Sequence, residues 1–179
     1  MSAVLSPGSP LSRRDWLATS GCGFGALALA DLIKASDEDL EVLDVPGQDA
    51  RERAERLLAR VPAGMMALTL GAEGAVLLRK TSAGIVALQA QERVPVQVVD
   101  TVGAGDCFLA GLLACLLRLA QDGACTPTEM AQRLSNDQAK ALLAHALATA
   151  TINVTRIGCQ PPVWDEVIER LAAHPVRLA

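Results

Sequence analysis

Asp100-Thr101-Val102-Gly103-Ala104-Gly105-Asp106 is the stretch whose residue types and spacing can do chemistry. Gly103 and Gly105 permit a sharp backbone turn and leave the main chain open to an anion, with no Cβ in the way. The residues that follow, Cys107 to Leu117, carry no polar side chain apart from their thiols and read as a helix. The first amides of such a helix lack intrahelical partners and stand at the positive end of its dipole, which makes a ready site for phosphate. Asp106 projects a carboxylate into that site, where it cannot help to hold phosphate. A carboxylate so placed suits the removal of a proton from a hydroxyl that attacks the phosphate. The same residues also satisfy a plain strand-to-helix turn that ends in a capping aspartate.

Several elements must position this turn. Ahead of it, Val94-Pro95-Val96-Gln97-Val98-Val99 is short and β-branched and is expected to be a buried strand. Further upstream, Leu32 to Ala35 reads as a short strand and Ser36 as the N-cap of a helix with an acidic first turn. Asp49 to Arg60 alternates charge with Ala and Leu at helical spacing, and Pro62 to Gly64 breaks it. Met65 to Leu70 is a buried strand, Gly71-Ala72-Glu73-Gly74 a turn, and Ala75 to Arg79 a second strand. Ile85 to Leu88 is another short strand between loops at Ser82–Gly84 and Gln89–Arg93. Downstream, Asp122-Gly123 stops the helix that begins near Cys107, and Thr126-Pro127 opens a minor helix. Ser135 to about Thr151 is a long Ala-rich helix, apolar nearly all round and so expected to be buried, and Val163 to Ala173 is a terminal amphipathic helix.

Asp-Thr-Val-Gly-Ala-Gly-Asp with Phe108 and Gly111 resembles the signature of the ribokinase-type (PfkB) sugar kinases, fructokinases in particular. The resemblance runs from about Ala30 to the C-terminus. It implies an α/β chain with a three-layer ribokinase-like fold, present in part: the nucleotide-binding portion over residues 31–179, without the strand-rich half that carries the sugar contacts and a small β-lid. It further implies Gly103, Ala104 and Gly105 as the anion hole and Asp106 as the catalytic base. Ser36 and Asp39 match the family's N-x-x-E motif in its S-x-x-[DE] form. That places Ser36 near the nucleotide phosphates and Asp39 near Mg²⁺. Thr69-Leu70-Gly71-Ala72-Glu73-Gly74 is similar to the family's nucleotide loop, with Thr69, Gly71, Glu73 and Gly74 facing ATP beside Gly105 and Asp106. The tail from Asn153 to Pro162 resembles the closing V-T-R-x-G-A-x-P segment, with Cys159 in place of alanine. In relatives that bind a monovalent cation such as K⁺, the positions of Asp100, Val102, Asn153, Arg156 and Gly158 form the site. Pro162 stands where those relatives carry a hydroxyl ligand.

Composition sets bounds. The 179 residues suffice for one sizeable domain, and 51% hydrophobic content suits a buried core. A net charge of −4, 2% aromatics and no Tyr argue against nucleic acid as a partner. The five cysteines, at 22, 107, 115, 125 and 159, include no C-x-x-C pair and are expected to be reduced thiols. His145 and His174 stand alone without ligand-like spacing, and no apolar run reaches the length of a bilayer span.

The start differs from the rest. Ser12-Arg13-Arg14-Asp15-Trp16-Leu17, followed by the small apolar residues 18–30, resembles a twin-arginine export signal, while an ATP-dependent enzyme belongs in the cytoplasm. The expectation is therefore a truncated or rearranged sugar kinase that uses ATP, Mg²⁺ and a small sugar and is inactive as the 179-residue chain. A non-catalytic nucleotide-binding remnant and an exported protein are the alternatives. An unpaired sheet edge would invite a homodimer or pairing with a missing N-terminal half.

Overall fold

The computed structural model describes residues 32–179, so the twin-arginine-like segment and Cys22 lie outside the described residues. Strand β1 (Leu32–Ser36) leads into helix α1 (Asp37–Val42), and helix α2 (Ala50–Arg60) returns to β2 (Met65–Thr69). A 3₁₀ turn at Gly71–Glu73 opens β3 (Ala75–Thr81), and β4 (Gly84–Gln91) runs back beside it. Helices α3 (Ala104–Asp122), α4 (Pro127–Arg133), α5 (Asn136–Val154) and α6 (Trp164–Ala173) follow, with a last short strand β5 (Arg177–Leu178).

The five strands form one sheet in chain order, β1 parallel to β2 and every later pair antiparallel. Adjacent side chains on a strand point to opposite faces, so a strand buried on both faces must be apolar throughout. Strand β2 shows this directly. Met65 and Ala67 join Phe108, Leu112, Leu116, Leu142 and Leu143 on one face of the sheet. Met66 and Leu68 join Leu40, Ala54, Leu57 and Leu58 on the other. The architecture is therefore three layers, with α1 and α2 on one face and α3 to α5 on the other.

Helix boundaries follow side-chain caps. Ser36 caps α1 in a reciprocal box, accepting from the Asp39 amide (3.1 Å) while the Asp39 carboxylate accepts from the Ser36 amide (2.8 Å). Asp49 caps α2, Thr126 caps α4 with Pro127 in its first turn, and Ser135 caps α5. Helices α3 and α5 approach so closely that a Cβ on Gly111 would overlap the hydroxyl of Thr149, whose Oγ1 donates to the His145 carbonyl at 2.8 Å. His145 lies beneath that crossing. Its Nδ1 is 3.1 Å from the Gly111 carbonyl and its ring packs on Trp164, 4.2 Å between centroids. Its role is packing.

Four expectations from the sequence need correction. Val94–Val99 is no strand: Val98 and Val99 are 57% and 51% exposed, and the amides of Val99 and Asp100 donate to the Val154 carbonyl at the end of α5. Pro95 removes one ladder donor, and the adjoining end of β4, Gln89 to Gln91, is already paired with residues 177–179. Strand β4 reaches Gln91 rather than ending at Leu88, because Ala90 and Gln91 pair with Leu178 and Arg177. Helix α3 begins at Ala104 rather than near Cys107, and its 19 residues are long and apolar enough by length and composition to cross a membrane. It is also buried along one face only. Cys107, Phe108, Gly111, Leu112, Cys115, Leu116 and Ala120 enter the core, whereas Ala110, Ala114 and Leu117 face outward.

Candidate active site

The turn into α3 is built around Gly103, which caps the helix in the left-handed region (φ +73°). A Cβ there would overlap the Sγ of Cys159, so this position tolerates neither the φ nor the bulk of another residue. The amide of Ala104 turns back to the Thr101 carbonyl (3.1 Å), and that of Cys107 closes the first helical turn on Gly103 (2.8 Å). Gly105 and Asp106 are left between them with no backbone acceptor for their amides. The amides without an acceptor are therefore those of Gly103, Gly105 and Asp106; of the three the sequence suggested, only that of Ala104 is taken. The side chain of Asp106 is exposed at the same end.

The second wall of the site is β1. Lys34 projects from it, and a Cβ on Gly105 would come 3.2 Å from the Lys34 ammonium. The same Nζ lies 3.8 Å from an Asp39 carboxylate oxygen. A cation beside the positive end of a helix is repelled unless an anion lies between them. One carboxylate on its flank answers that only in part, and a phosphate at Gly105 would answer the rest. Lys34 escaped the sequence reading because it sits on a strand, upstream of the capped helix that drew attention. The signal that could have found it is a charge inside an otherwise apolar buried strand.

Ser36 and Asp39 do reach this wall, held by their capping box. Asp39 offers a hard carboxylate oxygen on this wall, a donor of the kind that would suit a magnesium ion. Thr69 pairs with Ser36 across the β1–β2 ladder, and its hydroxyl is 3.5 Å from the Ala35 carbonyl. Beyond it, the Leu70 amide donates to the Gly74 carbonyl (2.9 Å) and the Glu73 amide to the Leu70 carbonyl (3.0 Å). Gly74 has φ +92°, and a Cβ on it would overlap the Ala90 carbonyl. Glu73 is exposed.

Asp100 ties the third part together. Its carboxylate accepts from the Val102 amide (3.0 Å) and the Gly158 amide (2.8 Å), which hold its pKa below the usual 3.8. The Asn153 side chain donates to the Val102 carbonyl (2.9 Å) and accepts from the Gln160 amide (2.9 Å). Arg156 turns away to Glu166 and the Gln160 carbonyl. Asp100, Val102, Asn153 and Gly158 thus come together as expected, but bonded to one another. As an arrangement for a monovalent cation the donors do not fit, and no chemical step is drawn through one.

A family model described as pfkB family carbohydrate kinase matches residues 22–166. A fructokinase of Klebsiella pneumoniae is 38% identical over 124 residues, 69% of this chain and 36% of that protein. The aminoimidazole riboside kinase of Salmonella enterica, solved with aminoimidazole riboside and an ATP analog, superposes with TM-score 0.58 at 25% identity over 79% of this chain and 42% of that one. The ribokinase of Giardia lamblia gives TM-score 0.62 at 24% identity, covering 80% and 44%. The chain spans between 25% and 36% of the curated fructokinases it matches. With the match running through β1, the Gly71–Gly74 turn and the Gly103–Asp106 helix start, the chain belongs to the pfkB family of carbohydrate kinases.

Proposed function

We propose that the described residues hold the nucleotide side of an ATP-dependent sugar phosphotransfer site, of fructokinase type. The observation that carries this reading is the pair of unbonded amides at Gly105 and Asp106, faced by the Lys34 ammonium. Those groups meet an anion from two sides, and the solved aminoimidazole riboside kinase, a protein of the same fold, was obtained with an ATP analog. The amides and Lys34 hold the terminal phosphates and stabilise charge on the transferring group, while the Thr69–Gly74 turn packs against the nucleotide. Asp106 takes the proton of the attacking sugar hydroxyl. Asp39 would hold a magnesium ion at this wall, which would supply charge neutralisation for the phosphates.

Asp106 is exposed and β1 is paired on one side only, so the acceptor sugar has no walls among the described residues. Transfer needs an acceptor held in line and water excluded. The 179-residue chain assayed alone is therefore expected to bind Mg-ATP without sugar-dependent turnover, which also keeps a nucleotide-binding remnant in play. Calorimetric titration with Mg-ATP tests the reading. Weak binding that Lys34→Ala diminishes and Asp106→Asn preserves supports it, and no binding by folded protein refutes it. An ATP-using site belongs in the cytoplasm, and a reporter fused after residue 40 tests whether residues 12–30 direct export instead.

A further inference from the structure

Two thiols from distant parts of the chain meet at the start of α3. Cys159 lies over Gly103, filling the space that the missing Cβ leaves. Its neighbours pin it on both sides, Gly158 through the Asp100 carboxylate and Gln160 through the Asn153 side chain. Cys107 follows one helical turn after Gly103, its amide bonded to the Gly103 carbonyl. The two cysteines therefore border the same glycine, near enough for each to act on the other's charge. Exposure divides the two: Cys159 is open to solvent, whereas Cys107 is 2% exposed. Burial first, then Cys159 and the Asp106 charge, push the Cys107 thiol up to about 11, which keeps it protonated and unreactive towards outside reagents.

We propose that Cys107 and Cys159 are a redox modification site, forming a reversible disulfide that latches the Gly158–Gln160 segment onto the first turn of α3. A hydroperoxide is the oxidant. The exposed Cys159 sulfur attacks one peroxide oxygen, the O–O bond breaks, and a sulfenic acid and one water result. The Cys107 sulfur then attacks the sulfenic sulfur, an S–S bond forms, and the departing hydroxyl takes the Cys107 proton as a second water. Two thiols and one hydrogen peroxide give one disulfide and two waters, the sulfurs losing the two electrons that the peroxide gains. Their shared place at Gly103 distinguishes this pair from Cys115, buried in the core, and from Cys125.

The test uses the full 179-residue protein, reduced, then exposed to graded hydrogen peroxide, alkylated and mapped by peptide mass spectrometry. A peptide carrying Cys107 linked to one carrying Cys159, formed before any product on Cys115 or Cys125 and reversed by dithiothreitol, is the expected result. Hydrogen exchange of the 157–160 amides should slow at least tenfold in the linked form. Cys159→Ser should leave Cys107 unmodified at the same dose. Overturning results are Cys159 ending as sulfinic acid or joined to another cysteine, or Cys107 oxidising equally fast in Cys159→Ser. If that variant does not fold, the map of the unaltered protein decides alone. Neither readout uses nucleotide, so a missing Mg-ATP signal would count against the phosphotransfer reading and leave the latch standing.

Discussion

Two glycine turns flank the site, and they are held by opposite means. The turn at Gly71–Gly74 is local. It joins two paired strands, its bonds run between Leu70, Gly71, Glu73 and Gly74, and the obstacle to a side chain at Gly74 is the Ala90 carbonyl of the same sheet. The turn at Gly103–Gly105 is closed from outside. Asp100, Asn153, Gly158 and Gln160 bind its approach, Cys159 covers Gly103, and Lys34 reaches across from β1. A hairpin can set its own geometry, whereas a turn closed from outside takes shape only when distant segments have arrived. Local signals should therefore reveal the first turn and only the glycines of the second.

Gly74→Ala should have the largest effect. The added Cβ meets a backbone carbonyl that the sheet fixes, at a φ that alanine disfavours, so a loss of roughly 3 kcal/mol or more is expected in urea unfolding. No side-chain truncation should restore it. Next comes Asp106→Asn, which in any preparation with measurable sugar phosphorylation should lower turnover about a hundredfold while leaving Mg-ATP affinity nearly unchanged. Gly103→Ala should lose roughly 2 kcal/mol, and here Cys159→Gly should return part of it by clearing the sulfur and its Cβ. Additive costs in that double-mutant cycle would erase the distinction between the two turns. Lys34→Ala should weaken Mg-ATP about tenfold by calorimetry, the value of one charge-assisted bond.

The smallest effect concerns the frame shared by both turns. Burial, opposed by the Gly111 carbonyl, pulls the His145 pKa below its ordinary 6.5. Above that value the ring is neutral in folded and unfolded chains alike, and its contribution is complete. As pH falls through 6.5, the unfolded chain takes up a proton that the folded ring refuses, so stability declines until the folded pKa is passed. Melting temperatures measured from about pH 7.5 down to 5.5 should show this fall, and His145→Gln should flatten it.

What could be read from the sequence follows the same division. The Ser36 cap, the apolar β2 strand, the break at Pro62–Gly64 and the glycine spacing before Asp106 are short-range signals, and each lies where expected. Lys34 was missed because its meaning depends on α3, far along the chain. The β-branched run at Val94–Val99 misled because propensity favours a strand only if a partner edge is open. Ala104 drops out of the expected trio of free amides because the Thr101 carbonyl folds back to take its bond. Strand β5 had no pattern to show in two residues.

The crossing of Gly111 and Thr149 has a mechanical consequence. Helix α3 carries the Gly103–Gly105 turn at its beginning, and α5 carries Asn153, which holds that turn's approach, at its end. The two rods touch at a point where backbone meets side chain, like blades at a pivot. From there to Gly105 is about 9 Å along the α3 axis, at 1.5 Å of rise per residue. A single methyl group added at Gly111 would force the pivot apart and splay both tips. Residues chosen for their smallness alone can thereby govern the alignment of a chemical centre they never touch.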